Sequence, residues 1–163
     1  MFVKKIATNL LAPAPAKTIQ FVGYNPAKVF KFIQELMKDA FGMDSGSMWE
    51  DHIKWDVSSN PISFYGLWRG KVGKDAYSKY WIEVEASGTQ KKEDKQGEVS
   101  IKIKGKLETS FKYPTPVHVG AYLLFNKLIY KKQREQYMIE ANRKINDFEA
   151  MIREQFDMMR REA

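Results

Sequence analysis

VSIKIKGKLETSFK, residues 99–112, is the stretch on which the fold turns. Val99, Ile101, Ile103, Leu107 and Phe111 fall on one side of it with Gly105 and Thr109. Ser100, Lys102, Lys104, Lys106, Glu108, Ser110 and Lys112 fall on the other. Side chains alternate across a strand, so this period of two predicts a strand with one face on a core and one in water. Upstream, Tyr80, Ile82, Val84 and Ala86 alternate with Trp81, Glu83 and Glu85, and the polar run Gly88 to Gly97 joins the two as a hairpin. Further back, Ile62 to Val72 is rich in aromatic residues, with Gly66 and Gly70 expected to mark bulges or bends. Before that, Ile53, Trp55 and Val57 alternate with His52, Lys54 and Asp56, which predicts a half-buried strand. Consecutive strands with short turns and no helix between them imply an antiparallel meander, whose apolar face needs a cover.

Two helical patterns flank the meander. Asn25 is a residue type suited to an N-cap and Pro26 to a first turn. Val29, Phe30, Ile33, Leu36, Met37 and Ala40 then share one face until Gly42 ends the helix. Lys17 to Val22 reads as a strand leading into it. After Tyr113 to Pro116, a stripe at 3.6-residue spacing takes in Leu123, Tyr130, Tyr137, Ala141, Ile145, Phe148, Ile152, Phe156 and Met159. Tyr122, Phe125 and Ile129 form a second apolar face in its first turns. At about 1.5 Å per residue, forty helical residues reach roughly 60 Å, against a radius of gyration near 15 Å for a compact domain of this size. Such a helix must bend, break or project. The polar run Lys131 to Gln136 is the expected break, and a projecting end would offer a homodimer contact.

Length and a hydrophobic content of 44% support a single domain over residues 1–163. Within it, residues 1–16 form an N-terminal extension or first strand, and residues 117–160 form the long helix. The absence of cysteine excludes a disulfide framework, a thiolate zinc site and a cysteine nucleophile, and points to a cytoplasmic setting. No run of about 18 apolar residues predicts a membrane span. The net charge of +7 favours acidic partners, although 20 acidic residues are interspersed among 27 basic ones. His52 and His118 lack spaced partners for a metal, and adjacent Asp51 and His52 in a strand point to opposite faces, so no catalytic residue, metal site or cofactor is implied.

The order strand, helix, antiparallel meander and long terminal helix, together with the Asn25-Pro26-Ala27-Lys28-Val29-Phe30 entry into the first helix, resembles the START/Bet v1-like (SRPBCC) helix-grip superfamily over residues 17 to 160. The resemblance implies an α+β fold in which a curved antiparallel sheet wraps a long C-terminal helix. It also implies a cavity between them for a hydrophobic or amphipathic, lipid-like small molecule. The five or six strands read here fall short of the usual seven, and the terminal helix is longer than usual.

On that reading the ligand is held by Trp55, Phe64, Trp68, Arg69, Tyr80, Ile101, Ile103, Tyr137 and Phe148, through apolar burial with a few placed polar groups and no chemical step. The same apolar residues would equally pack as an ordinary core. The alternative is a basic interaction module for nucleic acid or an acidic protein. In it, Lys91, Lys92 and Lys95 of the hairpin and Lys102, Lys104 and Lys106 of the strand face contact phosphates or carboxylates. That stripe lacks interleaved aromatic residues for base stacking, and Glu93, Asp94, Glu98 and Glu108 dilute it.

Overall fold

The computed structural model describes residues 2–162. In chain order it has β1 (Phe2–Asn9), β2 (Lys17–Tyr24), a 3-10 turn (Pro26–Lys28), α1 (Val29–Phe41), β3 (Met48–Asp56), β4 (Ile62–Gly73), β5 (Ser78–Gln90) and β6 (Gln96–Tyr113). It ends with α2 (His118–Phe125), a π turn (Asn126–Tyr130) and α3 (Lys131–Glu162). All six strands form one antiparallel sheet, ordered β1-β6-β5-β4-β3, with β2 also on β6. The alternating stretch of residues 99–112 lies within β6, the longest strand. Its first half pairs with β2, from Lys17 opposite Ile103 to Tyr24 opposite Gln96. Its second half pairs with β1, from Phe2 opposite Tyr113 to Asn9 opposite Lys106. The segment before Lys17 thus holds a strand in line with β2. Between the two, Leu10 and Leu11 fold inward and are buried, with the Leu10 amide donating to the Gly105 carbonyl at 2.9 Å.

The alternation read from the sequence assigns the inner face of β5 and β6 correctly. Tyr80, Ile82, Val84, Ala86, Val99, Ile101, Ile103, Leu107 and Phe111 are all buried. Against them lies the stripe of α3, with Ala141, Ile145, Phe148, Ile152, Phe156 and Met159 buried, and α1 adds Val29, Ile33, Met37 and Phe41. The arrangement is a helix grip: a curved antiparallel sheet closed by a long C-terminal helix.

Five local expectations are corrected. Asn25 does not cap α1: its backbone is left-handed (φ 55°) and its side chain makes no cap bond. The Ala27 amide instead donates to Gln90 Oε1 at 3.1 Å, so a strand side chain satisfies the helix start. Gly66 and Gly70 are not bulges, since β4 keeps its register with β5 throughout. A Cβ on Gly66 would lie 2.7 Å from the Phe30 ring and 2.5 Å from Trp68, and one on Gly70 would lie 2.3 Å from Met43 Sδ. These glycines let side chains rest directly on the strand. β3 is not half buried; beyond Met48 it is exposed along its length, because it is the edge strand and neither helix reaches over it.

The terminal helix does not break at Lys131 to Gln136, which is regular α3. It runs unbroken through 45 residues, and its irregularity is the π turn just before Lys131. A π turn brings residues five apart into register, and here it stacks Phe125 on Tyr130 with ring centroids 5.7 Å apart. Tyr122, Phe125 and Tyr130 all pack on Phe111, at 5.2, 6.2 and 6.1 Å. The phase shift places Leu123 and Ile129 at the surface, contrary to the straight 3.6-residue stripe. The overhang is at the start of the helix, whereas its far end stays docked as far as Met159.

Candidate ligand-binding site

Because β3 extends past the helices, its inner side chains meet the ends of α1 and β4 at a mouth rather than in the sealed core. Cross-strand pairing sets Trp55 opposite Phe64 and Ile53 opposite Gly66. Phe30, from the first turn of α1, reaches across them, with its ring 4.9 Å from Trp55, 5.6 Å from Phe64 and 5.3 Å from Trp68. Trp55 is 47% exposed whereas Trp68 is fully buried, so the cluster grades from solvent to core within one group of four rings. The missing Cβ of Gly66 makes room for Phe30 and Trp68 to meet. Trp68 Nε1 is buried and has no hydrogen-bond partner among the described residues. An unpaired buried donor is costly, and an acceptor brought to it would recover that cost.

The residues expected to hold a ligand divide into four groups. Trp55, Phe64 and Trp68 come together at this mouth. Tyr80, Ile101, Ile103 and Phe148 are fully buried within the continuous core. Arg69 is on the opposite face of the sheet from Trp68, as its neighbour in the strand must be, and its Nε lies 3.4 Å from Asp51 Oδ2. A register shift between Glu50 and His52 turns Asp51 outward to meet it, so Asp51 does not share the Trp55 face as strict alternation would have it.

Tyr137 lies at the other end of the molecule in a polar lock that sequence reasoning missed. Its hydroxyl donates to Asp75 Oδ2 at 2.9 Å, and Tyr130 donates to the same oxygen. The Tyr77 and Ser78 amides donate to Asp75 Oδ1 at 2.7 and 2.8 Å. Burial alone would raise the Asp75 pKa, but the four donors together hold it below the ordinary carboxylate value. Ser78 Oγ lies 2.8 Å from Thr109 Oγ1, which also accepts from Arg134 Nε at 2.7 Å, while Arg134 Nη2 donates to Thr8 Oγ1 at 3.1 Å. The lock ties the β4–β5 turn, β6 and β1 to the helix. An aspartate in a turn and two tyrosines 55 and 62 residues away carry no local signal of one another.

A broad depression of about 890 Å3 is lined by two adjacent cross-strand rows, Gln20, Ser100, Ser87, Tyr65 and Lys54 in one and Val22, Glu98, Thr89, Ser63 and Asp56 in the other, together with Phe21, Ile53, Trp55, Phe64, Gly88 and Val99 between and beside them. Alternation in the sequence set Lys54, Asp56 and Ser100 on the side away from the core, but not which strands are neighbours.

The basic residues are divided by their surroundings. Lys102 pairs across the strands with Glu85, Lys104 with Glu83 and Lys106 with Trp81. Lys92 Nζ donates to the Val57 carbonyl at 2.7 Å, which ties the β5–β6 tip to the β3–β4 turn, and Lys91 and Lys95 form that tip. Lys102 and Lys104 thus have carboxylates as cross-strand neighbours, which offset part of their positive potential, whereas Lys106 has an indole.

No family model matches the chain, and no curated protein does. Among solved structures, a protein of unknown function, SA2116 from Staphylococcus aureus, aligns over 98% of both chains at 8% identity with a TM-score of 0.36. Ara h 8.0201 aligns over 85% of this chain and 99% of its own, at 11% identity and a TM-score of 0.19. An uncharacterised protein from Rhizobium leguminosarum covers 78% of this chain and 91% of its own, at 9% identity and a TM-score of 0.19. The architecture rests on the sheet and helix themselves. Among the described residues no helix is long and apolar enough to cross a membrane, and no group of three or more acidic or histidine side chains is placed to hold a metal.

Proposed function

We propose that the protein is a non-enzymatic binding protein of the START/Bet v1-like kind, taking a hydrophobic or amphipathic, lipid-like small molecule at the mouth formed by Phe30, Ile53, Trp55, Phe64 and Trp68. The observation that carries this reading is the uncovered inner face of β3, where a half-exposed tryptophan caps a graded cluster of aromatic rings beside an unpartnered buried indole N–H. Pockets for small molecules combine such apolar walls with a few oriented polar groups. The ligand would lay its apolar part along Ile53 and Trp55, against the Phe30 and Phe64 rings. Covering about 200 Å2 of apolar surface is worth roughly 5 kcal/mol before the costs of association.

Tryptophan emission during titration with a long-chain fatty acid tests the proposal. The wild type is expected to saturate. Trp55→Ala, which removes a side chain already half in water, is expected to bind at least about tenfold more weakly while its melting temperature changes little. Saturation of Trp55→Ala at the wild-type concentration would reject the site.

A further inference from the structure

The start of the terminal helix exposes a run of large apolar side chains. Val117, Leu124 and Leu128 are 86%, 56% and 69% exposed. With Ala121 they are spaced four, three and four residues apart, which places them on one helix face. The π turn brings Ile129, 68% exposed, beside them. This face is turned away from the sheet, because Tyr122 and Phe125 on the other side are the residues seated on Phe111. On the sheet side of the helix the packing reaches β1. Exposed Phe2 stacks on Tyr113 at 5.7 Å, and Tyr113 lies 6.1 Å from Tyr122.

Charge identifies the occupant. From Glu108 to Glu135 the chain carries no intervening carboxylate, yet it holds Lys112, Lys127, Lys131, Lys132 and Arg134, and β1 adds Lys4 and Lys5. The nearby acid Asp75 is already engaged by Tyr130 and Tyr137. An exposed apolar stripe bordered by lysines, on a helix with no stretch long and apolar enough to span a bilayer, suits one that lies flat in a membrane interface. We propose that Val117 to Lys132 docks the protein on membrane surfaces rich in anionic lipid, the apolar stripe entering the headgroup boundary and the lysines meeting the lipid phosphates and carboxylates. A second copy fits the face less well: pairing two of them would press their lysines together with no free carboxylate between.

Flotation of the full chain with vesicles tests this independently of the ligand mouth, which lies at the other end of the sheet. Binding is expected to vesicles of phosphatidylcholine with phosphatidylserine and not to phosphatidylcholine alone. Lys127→Gln/Lys131→Gln/Lys132→Gln should lower partitioning by about a hundredfold. Leu124→Glu/Leu128→Glu should abolish it, and since these side chains are exposed, its melting curve should match the wild type. Absence of flotation with phosphatidylserine vesicles, or equal flotation of Leu124→Glu/Leu128→Glu, would overturn the proposal. So would a stable dimer dispersed by Leu124→Glu/Leu128→Glu, which would assign the face to a second copy.

Discussion

Phe148→Ala is expected to destabilise the protein by about 3 to 5 kcal/mol, lowering the melting temperature by roughly 10 °C. Phe148 is fully buried on α3, and its ring lies 5.3 Å from Phe41 of α1, where the two helices meet over the sheet. Truncation there removes apolar contacts between α3 and α1 and leaves a cavity that neither helix can fill alone, because each is also fixed to the sheet. Ile139→Ala on the same helix is the control. Ile139 is 71% exposed, and its loss should change stability by less than about 0.5 kcal/mol. Thermal melts of the two variants measure the grip directly. Equal shifts would mean that α3 does not dock by the face described.

Gly97→Ala is expected to be nearly as damaging, although it adds a single methyl group. A Cβ at Gly97 would lie 1.9 Å from the Thr89 carbonyl oxygen and 2.8 Å from the Gln90 Cα. Both obstacles are backbone of the neighbouring strand, so no side chain can swing aside, and the β5–β6 pairing itself must open. Overpacking that forces backbone movement costs about 1 to 3 kcal/mol, and the upper end applies here. The hairpin tip is tied to the β3–β4 turn through Lys92, so the disturbance should also reach the strand that carries Trp55. Gly120→Ala, with nothing within 4 Å of the added carbon and a helical backbone, should be neutral or stabilising by up to about 1 kcal/mol. Chemical denaturation of both variants distinguishes a close approach from a mere preference for glycine.

Much of the architecture was legible because the sheet and the terminal helix write their periods plainly. The faces of β5 and β6 followed from alternation alone, and the α3 stripe from Ala141 to Met159 followed from its helical spacing. What escaped was whatever depends on a partner distant in sequence. The pairing of β1 and β2 with successive halves of β6 leaves no local trace. The π turn escaped because its cause, the joint seating of Tyr122, Phe125 and Tyr130 on Phe111, is tertiary. β3 reads as half buried from its alternation, yet being an edge strand is a property of the sheet and not of the segment.

The site was legible in the same measure. Trp55, Phe64 and Trp68 were named from their inward parity and do converge. Arg69 was included for its charge, although its position next to Trp68 already directed it to the other face. Tyr137 belonged to the right stripe and does pack against the core, but at the end of the sheet where its hydroxyl meets Asp75. The unpaired Trp68 indole could not be foreseen, since a missing partner shows only when every neighbour is in place.

Native mass spectrometry of the protein, equilibrated with a mixture of fatty acids and sterols and then freed of excess, tests ligand binding at the Phe30–Trp55–Trp68 mouth most directly. The expected result is one added small-molecule mass per chain, absent after denaturation and strongly reduced in Trp55→Ala. A wild-type spectrum showing only the bare chain mass, or an adduct retained in full by Trp55→Ala, would contradict it.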